Sequence, residues 1–323
     1  MTPNFSLRQL GYLIAVADLG SMTAAAEAEC VSQAAISGGI HDLERRLGAQ
    51  LLVRRPGHGV SLTEAGLGVL ADARRVLAAA EDLQSSARAP GAELRGTLKL
   101  GCLTTLAPLY LPRLYGSFGV EHPTIEMTVL EGPQEVLGRA LTSGACELAL
   151  TYDSDLPAGL ATEVIRRHRP YALLAAGHRL ADQPSVSIEE LAEEPMISYS
   201  QGPMPHDTEK LFQHVGATPR IVRTSSNIEV VRSLVARGLG WTHVLQRWPL
   251  DVSLEGMPLT CVPIVGQVPV HSVVAAWPEQ DRLSRRAAAV ISFLHETARQ
   301  VTVFGDNDAV EQTADQNGAP AAT

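Results

Sequence analysis

The sequence predicts a multi-domain chain of mixed helix and strand, α+β overall. Three observations carry that prediction. Residues 7–62 hold three short helical patterns and then a strand–turn–strand segment. Residues 63–89 hold one long helical repeat. From residue 96 to about residue 303, strand and helix patterns alternate, which gives an α/β fold with largely parallel sheets. A chain of 323 residues with 45% hydrophobic content is long enough and apolar enough for two domains or more.

Leu7, Leu10, Ile14 and Ala17 share one face of a first helix. Ser21 can cap a second, which runs through the Ala-rich stretch to Cys30. Ser32 can cap a third, and Gly48 stops it. Ile36, Ile40, Leu43 and Leu47 are spaced four, three and four apart, so they form the buried face of the third helix. Gln33, Ser37, His41 and Arg45 recur every four residues on the opposite face. That polar stripe can meet base edges in a DNA major groove. The short link Cys30–Val31–Ser32 makes helices two and three a helix-turn-helix. Residues 51–55, 56–59 and 60–62 read as strand, turn and strand, which is a wing.

These residues resemble the N-terminal domain of the LysR-type transcriptional regulators. The matching pieces are Leu7-Arg8-Gln9-Leu10, Ala25-Ala26-Glu27, Val31-Ser32-Gln33, Leu43-Glu44, Leu47-Gly48, Leu51-Leu52-Val53-Arg54 and Leu62-Thr63-Glu64-Ala65-Gly66, in order. The resemblance extends over nearly the whole chain. It implies a winged helix-turn-helix over 1–62, a linker helix over 63–89, a hinge over 90–95 and an effector domain over 96–303. That domain would be two-lobed and similar to a periplasmic binding protein, with lobe I at about 96–162 and 267–303 and lobe II at about 163–266. The expected DNA contacts are Thr23, Ser32, Gln33, Ser37, His41, Arg54, Arg55 and His58. The sequence departs from the family in three places. Ala34 stands where Pro is usual, and Gly38-Gly39 replace residues that are often polar or basic, at about 1 kcal/mol each against alanine. His58 stands at the wing tip where Arg is common, so its phosphate contact would depend on pH.

Thr63 caps the long helix, with Glu64 in its first turn. Val69, Ala73, Val76, Ala80, Leu83 and Ala87 alternate spacings of four and three, the pattern of a two-strand seam, so Val69, Val76 and Leu83 are expected to dimerise it. Packing of the helix on its own domain is the other reading. Pro90-Gly91 ends the helix. Beyond it, strands are expected at 97–102, 124–130, 148–152, 160–165, 171–175, 196–199 and 270–277. Helices are expected at 107–118, 134–142, 209–215, 228–237 and 283–301. The tail over 304–323, rich in Asp, Asn, Gln, Ala and Gly, lacks an apolar face and is expected to be disordered.

No apolar run approaches the roughly 18 residues that cross a bilayer, and no signal-peptide pattern opens the chain. The expected location is the cytoplasm. Cys30, Cys102, Cys146 and Cys261 are widely spaced and read as reduced, mostly buried thiols, with a redox sensor as the alternative. The net charge of −9 opposes a non-specific nucleic-acid coat, and even the first 90 residues carry eight Arg against nine acidic groups. Clustering matters more. Arg45, Arg46, Arg54, Arg55, His41 and His58 lie between the third helix and the wing, where phosphates would pass.

No enzyme motif holds, and no catalytic set, metal ligand set or cofactor is expected. His295-Glu296 opens an HExxH pattern, but Arg299 occupies the second ligand position. Ligand binding has better support. Thr104 and Thr105 follow the first strand, Ser200 and Gln201 follow another, and Thr224 to Asn227 precede the helix at Ile228. Helix starts offer unpaired amides, so a small anionic effector is expected, with Tyr152, Tyr199, Trp241 and His243 near its body. Ordinary helix capping is the other use of these hydroxyls. The family implies that the three segments line a cleft between the lobes. The expected partners are promoter double-stranded DNA, a small-molecule effector, RNA polymerase and further copies of the chain as a homodimer or homotetramer, with no membrane. A solute-binding protein without a DNA role is the alternative.

Overall fold

The computed structural model describes residues 4–55, 59–86, 94–201, 204–248 and 250–300. The wing turn at 56–58 with His58, the hinge residues 90–93 and the tail at 304–323 lie outside them.

Helices α1 (Leu7–Leu19), α2 (Met22–Ala28) and α3 (Gln33–Leu47) come first, then strands β1 (Leu52–Arg55) and β2 (Gly59–Leu62) and helix α4 (Glu64–Ser86). Each early helix starts on a serine whose hydroxyl satisfies an otherwise unpaired amide. Ser6 and Gln9 form a reciprocal capping box. Ser21 Oγ accepts from Ala24 N at 3.3 Å, and Ser32 Oγ from Ala35 N at 3.1 Å. Leu13, Val16, Ala25, Ile36, Leu43, Leu51 and Leu70 join one core, so the three helices, the wing base and the start of α4 fold as a block. One expected burial fails at a helix end. Leu47 is 38% exposed, because it sits next to the left-handed Gly48 cap (φ 67°), past the last turn that faces the core. Leu7 is also exposed, at the first position of α1. Helix α2 stops at Ala28 rather than Cys30, and Cys30 holds a positive φ of 53° in the turn.

The strand–helix region follows. Its elements are β3 (Gly96–Leu103), α5 (Ala107–Arg113), a π turn (Leu114–Phe118), α6 (Gly119–Glu121), β4 (Ile125–Gly132), α7 (Gln134–Thr142) and β5 (Leu148–Tyr152). Next come β6 (Leu160–His168), β7 (Tyr171–Ala175), α8 (Ile188–Leu191), β8 (Met196–Tyr199), α9 (Met204–Gln213), β9 (Ile221–Ser225) and α10 (Ile228–Ala236). The last are β10 (Thr242–Val244), β11 (Leu259–Pro263), β12 (His271–Pro278) and α11 (Arg285–Gln300). The helix expected over 107–118 is not one regular helix. Pro112 lies inside it, has no amide to donate, and the helix changes to a wider turn two residues on. Helix α9 begins at Met204, five residues before the expected start, with Pro205 in its first turn.

One five-stranded sheet has the order β4-β3-β5-β12-β6. Within it β3 pairs in parallel with β4 and β5, as expected. The expectation of largely parallel sheets fails elsewhere. β7 is flanked by β10 and β11, both antiparallel, while β8 and β9 are parallel. Contacts divide the chain into two units. The first holds the residues up to Leu150, Pro157–Ala161 and Ala276–Val290; the second holds Thr151–Leu156, Thr162–Ala275 and the residues from Ile291. The second unit has its own core, built on Leu174, Val186, Met196, Leu211, Phe212 and Trp241.

The two glycines of α3 have different causes. A Cβ at Gly39 would lie 2.7 Å from Tyr12 Cδ2, so α3 and α1 pack too closely there for alanine. At Gly38 a Cβ meets nothing within 4 Å. Gly38→Ala should therefore stabilise α3 by about 1 kcal/mol through helix propensity. Gly39→Ala should destabilise it by about 1–3 kcal/mol through overpacking. Amide exchange along α3 in the full chain reads both, and equal effects would refute the packing account.

Candidate nucleic-acid interface and ligand-side residues

The buried face of α3 leaves its opposite face in solvent. Gln33 and His41 are exposed and Ser37 is half-buried on that face. Thr23 is exposed in the first turn of α2, and Ser32 is exposed at the cap of α3. A groove of about 480 Å³ runs beside the stripe, lined by Ser37 and His41 on α3, by Gln50, and by Leu52 and Val53 of the wing. Helix and wing therefore present one continuous surface. Arg54 and Arg55 lie in β1, but their side chains are outside the described residues. Arg45 is partly spent, since its guanidinium pairs with Asp42 at 2.7 Å.

Glu44 was a matching residue without a role in the sequence. Its Oε1 accepts from Leu51 N at 2.8 Å and from Leu52 N at 3.1 Å, so it fastens the wing base to α3. Such a contact joins groups across a chain reversal, and no spacing rule finds it.

On α4 the expected seam divides. Ala73 is buried and Val69 packs against the winged domain's core. Val76 is 42% exposed and Leu83 71% exposed. Ala87 lies outside the described residues.

Of the ligand-side residues, Thr104 and Thr105 belong to the first unit. They form a turn ahead of α5, which starts without a side-chain cap. The others belong to the second unit, where the parallel pairing of β8 and β9 gathers several of them. Ser200 N donates to Ser225 O at 3.0 Å, which puts Ser200 and Gln201 beside Thr224 and the start of α10. Asn227 Oδ1 accepts from Glu229 N at 2.9 Å, so this side chain serves as the α10 cap. Glu229, in the first turn, pairs with Arg232 at 3.1 Å. Tyr152 and His243 are buried instead of lining an open surface, and the Tyr152 hydroxyl meets Gln246 Nε2 at 3.4 Å.

Around His243 the same unit holds buried titratable groups that spacing did not reveal. Asp207 and His271 approach to 3.2 Å. Burial pushes the Asp207 carboxyl up to about 7, with Asp155 and Asp153 adding and Lys210 opposing. Burial lowers His271, and it pushes His168 and His243 down to about 3. Burial thus disfavours the ion pair: below about pH 7 the Asp207–His271 contact joins a protonated carboxyl and, near neutrality, an uncharged imidazole. Burial also pushes Cys102 up to about 12 and Cys146 and Cys261 up to about 11. These three thiols stay protonated, which opposes thiolate-based sensing at them.

Two family models match the chain. Residues 7–67 match the bacterial regulatory helix-turn-helix protein, lysR family, and residues 91–299 match the LysR substrate binding domain. The transcriptional regulator TtuA of Agrobacterium vitis is 27% identical over 282 residues, 85% of this chain and 92% of TtuA. The regulator EstR of Acinetobacter baylyi is 38% identical over 152 residues, 46% of this chain and 50% of EstR. The crystal structure of HinK, a LysR family transcriptional regulator from Pseudomonas aeruginosa, is 32% identical with a TM-score of 0.61, covering 92% of this chain and 100% of HinK. Among the described residues, no helix is long and apolar enough to cross a membrane.

Asp207 makes stability depend on pH. A carboxyl raised from 3.8 to about 7 contributes stability that is complete below 3.8 and lost as pH rises to about 7. The buried histidines act in the opposite direction, contributing above 6.5 and losing it toward 3. Asp207→Asn should abolish that loss. Its stability relative to the unmodified chain should rise between pH 4 and pH 8 by an amount on the order of a few kcal/mol. Denaturant unfolding across that range measures it, and a constant difference would contradict a buried, neutral Asp207.

Proposed function

The chain belongs to the LysR family of bacterial transcriptional regulators, and from that premise we propose how its residues divide the work. It is a DNA-binding regulator with a small-molecule-binding domain, and not an enzyme. Its place of action is the cytoplasm, at promoter DNA and in exchange with RNA polymerase. The observation that carries the DNA assignment is the polar Gln33–Ser37–His41 stripe, exposed at Gln33 and His41, opposite the buried Ile36–Ile40–Leu43 stripe of the same helix. Helix α3 enters the major groove, where Gln33, Ser37 and His41 meet base edges. Thr23, Ser32, Arg54, Arg55 and His58 contact the phosphates on either side and set the register.

The assembly is a homodimer through α4, with a homotetramer as the larger form. Val76 and Leu83, seven residues apart and exposed, are the contacts, and Val69 closes the seam at the winged domain. The effector is a small organic anion. What supports this is the end of the β8–β9 pair, where Ser200, Gln201 and Thr224 gather beside the positive end of α10. Arg232 neutralises Glu229, the acid nearest that helix end. Asn227 orients the helix start, and Tyr152 and His243 supply polar groups deeper in the same unit. Thr104 and Thr105 are candidates from the first unit.

Selection of duplexes from a random library by the full chain tests the reading. Gln33→Ala should cost roughly 1–3 kcal/mol against the duplex selected by the unmodified chain, with a relaxed preference at one position of each half-site. Unchanged affinity together with unchanged preference would remove Gln33 from the reading face.

A further inference from the structure

Helix α4 does more than space the winged domain from the rest of the chain. Within the first unit it is fastened to the strand–helix region by three guanidinium contacts. Arg74 Nη1 donates to Ser143 O at 2.8 Å, at the end of α7. Arg75 Nε lies 3.4 Å from Asp281 Oδ1. Arg286, only 2% exposed, places Nη1 2.9 Å from Asp82 Oδ1 and donates to Arg95 O at 3.2 Å. The turn after α7 lies flush against α4: Gly144 has φ 67°, and a Cβ there would be 3.2 Å from Arg74 Cβ.

Of these three residues, Arg74 also reaches the winged domain. Its Nη2 pairs with the Asp18 carboxylate near the end of α1, while Nη1 holds Ser143 O. The side chain is 10% exposed, so this is no solvated surface pair of negligible worth. Both contacts are charge-assisted, and the planar fork of arginine can make them together where a lysine cannot. Helix α1 in turn supports the reading helix, since Leu13 shares its core with Ile36 and Tyr12 lies against Gly39. A continuous series of contacts thus runs from α7 through one guanidinium to α1 and on to α3.

We propose that Arg74 is a positioning residue, the joint through which the strand–helix region of the first unit sets the orientation of the reading helix. Contact alone does not establish coupling, which is a free energy shared between two places. It has a consequence that two independent local contacts lack. Removing the Asp18 carboxylate, which touches only the winged side of Arg74, should loosen the Ser143 side as well.

Hydrogen exchange on the full chain, without DNA or effector, reads this directly. Asp18→Ala should raise exchange at least threefold at the amides of Gly144 and Cys146, which close the turn after α7 by bonding Leu141 O and Ala140 O. Arg74→Ala should raise exchange there and at Gly20, which caps α1 on Val16 O. Arg74→Lys should resemble Arg74→Ala and fail to restore the coupling. On the duplex selected by the unmodified chain, each variant should reduce the penalty for moving the half-sites one base pair apart by at least fivefold. If Asp18→Ala changes exchange only in α1 and α4 and leaves the spacing penalty intact, Arg74 makes two separate contacts and the joint is refuted. Asp18 is half exposed, so its loss tests the idea even where Arg74→Ala misfolds. The spacing readout rests on the DNA assignment, but the exchange readout does not. A chain that selects no duplex yet shows coupled exchange would refute the former and keep the joint.

Discussion

The DNA-facing half of the molecule turns on one carboxylate. Glu44, on the side of α3 toward the wing, accepts from the amides of Leu51 and Leu52. Those amides lie where the chain reverses from α3 into the wing. Without that acceptor they would lose a charge-assisted bond worth about 1.5–3 kcal/mol. The other end of the wing is tied by a hydroxyl. Thr63 Oγ1 donates to Gln50 O at 2.7 Å and accepts from Gly66 N at 2.9 Å, which joins the wing base to the first turn of α4. Gly66 has to be glycine, since a Cβ would fall 2.1 Å from Leu51 O. With both ends fixed and Leu51 and Leu52 buried in the shared core, α3, the wing base and the first turns of α4 are held together. A reading face needs that rigidity, because side chains reach base edges only when the phosphate contacts hold the register.

The second unit has the opposite character. Its core is well packed around Trp241 and Phe212, yet it also buries Asp207, His168, His243 and His271. Burial favours the neutral form of each, which makes the stability of the unit depend on pH. Buried polar side chains of this kind are uncommon where only packing is required. They lie in the unit that also carries Ser200, Gln201, Thr224 and Asn227, the residues on which the effector assignment rests.

Much of the winged domain was legible because it is local. Serine caps, apolar spacing and a glycine stop define α1 to α3 within a few residues of each feature. The same rules fail at the end of α3, where Leu47 keeps the right spacing but has no further turn to bury it. The strands β9, β10 and β11 went unseen because they are three to five residues long, with identities set by partners far along the chain. The cause of Gly39 was equally hidden: it lies in the ring of Tyr12, on another helix. The roles of Glu44, Arg74 and the Asp207–His271 contact also depend on distant partners. For the ligand side, the hydroxyl-rich segments are legible in the sequence, but the gathering of Ser200 and Gln201 beside Thr224 follows from β8–β9 pairing and not from composition.

The central claim is that α3 reads DNA from the major groove. Methylation interference at guanine N7, an atom exposed only in that groove, tests it most directly on the duplex selected by the full chain. The account predicts two clusters of interfering guanines, related by two-fold symmetry and separated by about one or two helical turns. Tight binding that no N7 methylation disturbs, on a selected duplex with guanines in both half-sites, would contradict it.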